Sequence, residues 1–335
     1  MTTIEERIKA FDLLGNYLRE LPEEEFQSIA QSARLENPWF TIENVRLALN
    51  GLGLFLDENS IRQWLTDYTL PTSSKKVALV MAGNIPLVGF HDLLCTQICG
   101  HQALIKTSSK DSALMKLIVN RLTILEPKLK SQIEFAERLS GFDAVIATGS
   151  DNSSRYFDYY FGKYPHIIRR NRTSVAILDG TESPNDLKEL GNDVFSYFGL
   201  GCRNVSKLFV PTGYTFNKLF ESWESFHDVI HNHKYCNNYD YQKSIMLVNG
   251  IPFLDNGFVM LNENERLVSP ISVIYFEYYD NVNSLSEKLK SVEEKIQCIV
   301  GHGSPASIAF GQAQFPRIND YADQIDTLKF LSTLS

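Results

Sequence analysis

Short apolar runs alternate with longer amphipathic segments along this chain, and that alternation limits the fold more than any other feature. Residues 77–81 are apolar and run into Gly83-Asn84, as a buried strand runs into a turn. Residues 87–99 then have helical spacing. The strand pattern recurs at residues 103–105, 143–147 and 174–178. Strands that alternate with helices predict parallel βαβ units in a doubly wound α/β fold.

The 335 residues suit two α/β lobes better than one core. A second run of α/β units starts near Ser183-Pro184, where the chain is punctuated by turn residues. Strands of this second run are expected at residues 207–210, 245–248, 258–261, 273–278 and 296–300. We therefore expect a helical N-terminal segment at 1–70, an α/β lobe at 71–180 and a second α/β lobe at 181–335.

Composition excludes several classes of partner. The formal net charge is −8 and no basic run occurs, so we predict no nucleic-acid binding. No run of eighteen apolar residues occurs, and residues 1–20 lack the apolar stretch of a signal peptide, so we expect no membrane span. Five cysteines without an export signal predict reduced thiols and a cytoplasmic location. The densest basic cluster fits either a solvated segment or a small phosphate patch; its members are Arg169, Arg170 and Arg172.

The cysteines and histidines form no clear metal-binding pattern. Cys95 and Cys99 lie four residues apart on a predicted helix, where core packing is the commoner role. His231, His233 and Cys236 could supply ligands, but no second cluster with metal-ligand spacing accompanies them. We therefore predict no metal site.

A cysteine flanked by glycines lies between a predicted helix and a predicted strand, in the stretch G-L-G-C-R-N that contains Cys202. Glycine allows close approach of a ligand, and nearby backbone N–H groups can stabilise an oxyanion. A lone cysteine is more often a buried apolar residue. This stretch, however, resembles the nucleophile motif of the aldehyde dehydrogenase superfamily, G-Q-x-C followed by a basic residue and an apolar strand. The resemblance implies that Cys202 is the nucleophile of an aldehyde dehydrogenase-like α/β fold.

An upstream block, G-N-I-P-L, contains Asn84. It is similar to the W-N-F-P-L block of the same superfamily, whose asparagine side chain donates to the oxyanion that forms at the thiol. The resemblance assigns this role to Asn84. A neutral amide suits the task, because it stabilises negative charge without competing as an acid.

The cofactor residues also follow from the resemblance. The stretch A-L-I-K-T-S-S contains Lys106, Ser108 and Ser109, and it resembles the V-V-x-K-P-x-E segment that lies along the adenosine ribose. NAD-preferring members carry glutamate at the position of Ser109, and that carboxylate repels a 2′-phosphate. NADPH is therefore favoured, with NADH as the alternative. Gly149 and Ser150 resemble the start of the G-S-T-x-x-G turn, at a strand end where phosphate or nicotinamide contacts are expected.

The stretch E-R-L-V-S-P-I resembles E-x-F-G-P-V, the block that holds the nicotinamide ribose. Aligned on Pro270, the glutamate of that block falls on Arg266, and Glu265 is one residue away. Glu265 is included as a cofactor-binding candidate on this basis.

One departure from the superfamily points to the reaction. Hydrolytic aldehyde dehydrogenases use a glutamate of an E-L-G-G-K-x-P block to activate water, and Ile168 stands at that position here. Without that base, water is a poor acceptor for an acyl-cysteine. The closest likeness within the superfamily is to LuxC-type acyl-CoA reductases, the fatty acyl reductases of bacterial bioluminescence. It is carried by residues 82–92, residues 198–204, the stretch F-G-Q-A at 310–313 and residues 321–330.

The resemblance implies an NADPH-dependent reduction of an acyl thioester, such as a fatty acyl-CoA, to an aldehyde through an S-acyl-cysteine. It also implies an acyl-CoA or other thioester donor, and it leaves room for an acyl-transfer partner enzyme and for a homo-oligomer. Three alternatives stay open: an acyl-phosphate reductase of the same superfamily, a cysteine acyltransferase or thioesterase without hydride chemistry, and a non-catalytic nucleotide-binding relative.

Overall fold

A computed structural model describes residues 2–149 and 151–334, with residues 151–154 described by their backbone alone. Internal contacts divide the chain into two units. Unit 1 comprises Met1–Asn171 and Pro316–Ser335, and unit 2 comprises Arg172–Phe315. This division differs from the boundary expected at residue 180, and it assigns the last twenty residues to unit 1 rather than to the second lobe.

Unit 1 begins with four helices, as the sequence predicts for residues 1–70. They are α1 Ile4–Arg19, α2 Glu23–Glu36, α3 Ile42–Phe55 and α4 Glu58–Leu65. Helix α1 starts in a capping box, in which the Thr3 hydroxyl accepts from the Glu6 N–H and the Glu6 carboxylate accepts from the Thr3 N–H. Its apolar face, with Phe11 and Leu14, is fully buried in the core of the unit.

The rest of unit 1 is a βα alternation. Its elements are β1 Lys76–Val80, α5 Phe90–Ile98, β2 Gln102–Lys106, α6 Ala113–Leu125, β3 Ile133–Phe135, β4 Ala144–Thr148, α7 Asp151–Phe161 and β5 His166–Arg169. The five strands form one parallel sheet in the order β3-β2-β1-β4-β5. The strand order reverses between β1 and β4, so the carboxyl ends of these two strands form a topological switch point, where ligands bind in open α/β sheets.

The C-terminal segment belongs to unit 1 because of buried polar contacts. Arg169, at the end of β5, is 3% exposed, and its guanidinium forms an ion pair with Asp92 of α5. The same guanidinium donates to the Thr327 hydroxyl at 2.9 Å and to the Ala322 carbonyl at 3.1 Å. A short helix, Thr327–Ser332, follows these contacts. Residues 316–335 are therefore tied to the edge of the first sheet.

Unit 2 is a second α/β unit. Its elements are β6 Thr173–Ile177, α8 Pro184–Phe195, β7 Val205–Pro211, α9 Asn217–Trp223, α10 His233–Val248, β8 Leu254–Asp255, β9 Met260–Glu263, β10 Val273–Tyr279, α11 Val282–Ser291 and β11 Ile296–Val300. The sheet order is β11-β6-β7-β10-β9-β8, and every pairing is parallel except that of β8 with β9. The predicted class, two α/β lobes with a helical N-terminal segment, is confirmed.

Three details differ from the sequence prediction. The strand expected at 245–248 is wrong: these residues end α10, which starts at the Asn232 cap. A four-residue apolar run fits either element, and here the cap and the preceding helical residues decide. Strand β6 lies in the second sheet, between β7 and β11, which is why unit 2 starts at Arg172. The short strands β3, β5 and β8 were not predicted; all three lie at sheet edges. Within the described residues, no helix combines the length and the apolar character needed to cross a bilayer.

Candidate functional site

The segment before Cys202 has a left-handed backbone. Tyr197, Phe198 and Gly199 have φ angles of 51°, 57° and 76°. Only glycine adopts this region without strain, and other residues lose about 1–2 kcal/mol each there. Two consecutive aromatic residues in this conformation make a tight reversal between α8 and β7. The reversal places Cys202 in a short loop at the amino end of β7, where it is half-buried and outside any disulfide.

The side chain of Asn204 fixes this reversal. Asn204 is 1% exposed, and its Oδ1 accepts the Gly201 N–H at 2.8 Å. Its Nδ2 lies 2.8, 3.1 and 3.4 Å from the carbonyl oxygens of Ser196, Asp193 and Val194. One carboxamide therefore satisfies the last carbonyls of α8 and the loop next to the cysteine, as buried backbone groups require.

Two further contacts hold Cys202 and the residue that follows it. The buried Ser174 hydroxyl donates to the Cys202 carbonyl at 3.1 Å. The Arg203 Nε donates to the Ala313 carbonyl. Ser174 belongs to the neighbouring strand β6, so the sheet itself positions the carbonyl of the candidate nucleophile.

Asp193, at the end of α8, holds the F-G-Q-A stretch. It is fully buried and accepts the N–H groups of Gly311 and Ala313 at 2.7 and 2.9 Å. Burial raises the pKa of Asp193 to about 6, although the two N–H groups oppose that shift. A Cβ on Gly311 would lie 2.2 Å from a carboxylate oxygen of Glu189, so only glycine fits there. The stretch is thus packed on the same helix end that Asn204 caps.

Glu265 lies in the loop between β9 and β10 and is exposed. The loop is tethered to β7 by two hydrogen bonds: the Ser206 hydroxyl donates to the Leu267 carbonyl at 2.8 Å, and the Lys207 ammonium donates to the Asn264 carbonyl. Unit 2 therefore attaches the Glu265 loop to the strand that follows Cys202.

In unit 1, the loop after β1 carries Asn84, which is exposed. Gly83 before it is buried, and a Cβ there would lie 2.7 Å from the Ser108 side chain. The Asn37 amide donates to the Gly83 carbonyl at 3.3 Å. The glycine is thus required by the close approach of the segment that follows β2.

Asp111 holds the other end of this loop. Its Oδ2 accepts the Leu87 N–H at 2.7 Å, and Leu87 has a left-handed φ of 58°. Its Oδ1 is buried and has no hydrogen-bond partner among the residues that the structure describes. Burial raises the pKa of Asp111 to about 7, and the charge of Glu36 adds to that shift, whereas the Leu87 N–H opposes it.

The sequence suggests Asp111 or Ser108 as the cap of the following helix. That prediction is wrong. Helix α6 begins at Ala113, and the Glu36 carboxylate, at the end of α2, accepts the N–H groups of Ser112 and Ala113, both at 2.9 Å. A carboxylate from another helix does the capping, which leaves Asp111 to hold the Leu87 N–H.

The predicted cofactor residues of unit 1 lie at the carboxyl edge of its sheet. Lys106 ends β2; it is exposed, and its Nζ donates to the Glu137 carbonyl at 2.5 Å. Ser108 is half-buried, and Ser109 is exposed. Gly149 is half-buried and follows β4. Ser150 lies outside the described residues.

Unit 1 therefore brings its described candidate residues to one edge. Asn84 and Gly149 follow β1 and β4, Lys106 ends β2, and Ser108 and Ser109 come after it; these three strands are adjacent in the sheet. This edge is the topological switch point, the expected ligand position of such a sheet. Cys202 and Glu265 belong to unit 2.

The basic cluster does not form a patch. Arg169 is buried against Asp92, Arg170 is exposed with Asp158 at 3.6 Å, and Arg172 donates to the Ile296 carbonyl. Arg169 fits neither a solvated segment nor a phosphate patch, because it is buried in an ion pair. Ile168, in β5, is half-buried and offers no base.

A group of possible metal ligands lies on the surface of unit 2. The ligand atoms of His227, Asp228 and His231 lie within 4.8 Å of one another, and all three residues are exposed. From the sequence, the possible ligands considered were His231, His233 and Cys236. The helical turn brings His231 close to His227 and Asp228, which lie four and three positions before it.

Solved aldehyde dehydrogenases share this architecture. Aldehyde dehydrogenase 21 from Physcomitrella patens, solved with the reaction product succinate, matches with a TM-score of 0.69 at 12% identity, over 98% of this chain and 85% of that one. The chain has the aldehyde dehydrogenase fold. No protein-family model matches the sequence, and no curated protein sequence matches it.

Two other structures are similar. Aldehyde dehydrogenase C from Pseudomonas syringae, solved as a variant with NAD⁺ and octanal, has a TM-score of 0.65 at 13% identity, over 91% of this chain and 73% of that one. An acetylating aldehyde dehydrogenase from Geobacillus thermoglucosidasius has a TM-score of 0.59 at 12% identity, over 91% of this chain and 77% of that one. At such identities the likeness establishes the fold.

Sequence reasoning missed the residues that position the candidate site. Asn204 was visible inside the cysteine motif, and a polar residue next to a glycine turn is a known signal for side-chain–backbone bonding. Asp111 and Asp193 carried no comparable signal, because their partners, the N–H groups of Leu87 and Gly311, are distant in sequence.

The Asn204→Leu variant tests the role of the carboxamide. The substitution keeps the number and branching of the side-chain heavy atoms but leaves the Gly201 N–H and the carbonyls at the end of α8 without their partner. Each buried unsatisfied group is unfavourable by about 1–3 kcal/mol, so we expect the free energy of unfolding to fall by about 3 kcal/mol in urea titrations. Asn192→Leu, in the last turn of α8, is the control, because its Nδ2 donates to the Glu189 side chain and not to the carbonyls that Asn204 caps. Equal losses in the two variants would contradict the assignment.

The Asp111→Asn variant tests the buried carboxyl. A folded-state pKa near 7 against an ordinary value of 3.8 means that the folded protein binds this proton more tightly. Proton binding at Asp111 therefore stabilises the folded protein fully below about pH 4, and this stabilisation is lost as the pH rises to about 7. Asparagine keeps the acceptor for Leu87 without titrating. As the pH rises from 4 to 7, the wild type loses this stabilisation and the variant does not. The free energy of unfolding of the variant should therefore increase relative to that of the wild type, by up to about 4 kcal/mol.

The exposed Asp67→Asn variant is the matched surface control for this titration. A difference between wild type and Asp111→Asn that stays constant from pH 4 to pH 7 would show that Asp111 does not titrate in that range.

Proposed function

We propose that the protein reduces an acyl thioester, such as a fatty acyl-CoA, to an aldehyde with NADPH, and that Cys202 carries the acyl group. The observation that carries the proposal is a half-buried thiol on a loop held by Asn204 and Ser174, in a chain with the aldehyde dehydrogenase fold. A nucleophile needs access and a fixed backbone, and this loop provides both.

The reaction begins at the sulfur. The Cys202 thiolate attacks the carbonyl carbon of the thioester, a new C–S bond forms, and the carbonyl oxygen becomes an oxyanion. The Cys202 backbone N–H and the Asn84 amide donate to that oxyanion in this proposal. The oxyanion collapses, the bond to the leaving thiol breaks, and an S-acyl-cysteine remains.

The residues of unit 1 fit a nicotinamide cofactor at the carboxyl edge of its sheet. Residues 106–110 present two ammonium groups and two serine hydroxyls and contain no carboxylate, which suits a 2′-phosphate. When bound, NADPH supplies a hydride to the acyl carbon. Lys106 and Ser109 are proposed to hold the adenosine end, with Gly149, Ser150 and Glu265 as further cofactor contacts. The reduced adduct on Cys202 then re-forms the carbonyl, breaks its C–S bond and releases the aldehyde and the thiolate.

Ile168 supports reduction over hydrolysis. An aliphatic side chain cannot remove a proton from water, so the acyl-cysteine is not set up for hydrolysis at this position. The acetylating aldehyde dehydrogenase named above has the same fold, and it provides a precedent for acyl transfer instead of hydrolysis.

The first test is NADPH oxidation at 340 nm with a series of acyl-CoAs. We expect oxidation that depends on the thioester, with a preferred chain length, and its loss in Cys202→Ala, because no other group then carries the acyl chain. Cys236→Ala is the matched control, since Cys236 is also half-buried and lies in α10. Its activity should equal that of the wild type.

Thioester-dependent oxidation that survives in Cys202→Ala would contradict the proposal. Acylation of the protein without any oxidation of NADPH would replace the reductase with an acyltransferase or a thioesterase. A preference for an acyl phosphate over every thioester would favour the acyl-phosphate alternative.

The Ser109→Glu variant tests the cofactor preference. A carboxylate at this exposed position repels a 2′-phosphate and accepts hydrogen bonds from ribose hydroxyls. We expect kcat/KM for NADPH to fall by about 10–100-fold and that for NADH to change little or rise. Ser131→Glu adds the same charge at another exposed serine and should leave the ratio unchanged. An unaltered ratio in Ser109→Glu would contradict the assignment.

A further inference from the structure

Unit 1 contains a cavity at the amino edge of its parallel sheet. It has a volume of about 300 Å³, and its lining includes residues just before β1, β2 and β3, namely Ser74, Gly100 and Gln132. The candidate cofactor residues follow the carboxyl ends of these strands. Five residues of strand span about 15 Å, so the cavity and the cofactor edge are separate places on the unit.

The cavity contains a buried arginine. Arg7 lies on the apolar face of α1 and is 8% exposed. Its Nη1 donates to the Thr2 carbonyl at 2.6 Å, and its Nε is buried without a hydrogen-bond partner. Among the described residues, this carbonyl is the only hydrogen-bond partner that the guanidinium has. A Cβ on Gly100 would lie 3.0 Å from Nη1, so the absence of a side chain there makes room for the cation.

Among the residues that the structure describes, no carboxylate pairs with this guanidinium, and the lining of the cavity includes no aspartate or glutamate. Cys99 and Glu6 are the groups that act on Arg7 electrostatically. Burial raises the pKa of the Cys99 thiol and so keeps it neutral, and the Glu6 carboxylate pairs with Lys128 at 2.5 Å and accepts the Thr3 N–H. Burial lowers the pKa of Arg7, as expected for a cation withdrawn from water.

The rest of the lining is uncharged, and it combines neutral polar groups with the apolar side chains of Ile4, Leu70 and Pro71. Thr2 and Gln132 are buried and hydrogen-bonded to each other, with Gln132 Nε2 donating to the Thr2 hydroxyl at 3.2 Å. Ser73 and Ser74 add hydroxyl groups, and Ser73 is exposed at the rim. A guanidinium with hydroxyl and amide donors around it is the donor set that binds carboxylate and phosphate oxygens.

We propose that this cavity binds a small-molecule oxyanion, with the guanidinium of Arg7 as its counter-charge. A buried cation without a partner is unfavourable, and an anion in the cavity removes that penalty. The volume equals that of about ten water molecules, which is more than a bare phosphate needs. The ligand is therefore an oxyanion carried on a small organic body, either a phosphate monoester or a carboxylate.

The experiment measures the melting temperature of the full-length protein in inorganic phosphate, glycerol phosphate, acetate and malate, against chloride at equal ionic strength. In the wild type, we expect at least one oxyanion to raise it by about 2–3 °C at ten times its Kd. A larger response to the two phosphates than to the two carboxylates identifies a phosphate monoester, and the reverse identifies a carboxylate.

Arg7→Met, which keeps an unbranched apolar stem and removes the guanidinium with its charge, should lose the response. Arg34→Met, at an exposed position of α2, should keep it. In chloride, Arg7→Met should melt no lower than the wild type, because it removes an unbalanced buried charge. If Arg7 served only to stabilise the fold, Arg7→Met would melt at a lower temperature than the wild type in chloride.

A second variant keeps the test decisive if Arg7→Met does not fold. Ser74→Asp places a carboxylate in the lining while Arg7 stays, and this internal counter-charge should abolish the response. The proposal is overturned if the wild type responds to oxyanions no more than to chloride. It is equally overturned if the folded variants Arg7→Met or Ser74→Asp respond as the wild type does.

Discussion

The carboxamide of Asn204 is the interaction on which the candidate active loop depends. It joins the Gly201 N–H to the last carbonyls of α8, and it does so across a reversal in which Tyr197 and Phe198 take left-handed angles. That backbone is unfavourable for residues with side chains, so surrounding contacts must impose it. The half-buried thiol of Cys202 is held in position as a result. The buried Ser174 hydroxyl adds a contact from the neighbouring strand.

The sequence predicted the strands that are apolar runs and missed the polar edge strands of the first sheet. Buried parallel strands are continuous apolar runs, so β1 and β2 were visible. The edge strands β3 and β5 carry polar residues, such as Glu134 and His166, and gave no such run. The run at 245–248 was misassigned because four apolar residues fit a strand and a helix equally. Only the Asn232 cap distinguishes them.

The candidate site residues stood out in the sequence, whereas the residues that support them did not. Cys202, Asn84 and Lys106 stand out because a thiol, an amide and a lysine adjoin glycines or strand ends. Their positions within each unit agree with those expectations, while their roles stay proposals. The contacts of Asp111 with Leu87 join residues twenty-four apart, and no local pattern specifies such a pairing. Arg7 did carry a signal, since a charged residue interrupts the apolar face of α1, but its meaning depends on the cavity beside it.

The account rests on a covalent acyl group at Cys202, and mass spectrometry of the acylated protein tests it most directly. The protein would be incubated with an acyl-CoA in the absence of cofactor, digested and mapped. The account predicts a mass increase equal to the acyl group on the peptide that contains Cys202, removable by hydroxylamine, and no increase on the peptide with Cys236. The account would be contradicted if the Cys202 peptide stayed unmodified although the same thioester, with NADPH added to a parallel sample, supports NADPH oxidation.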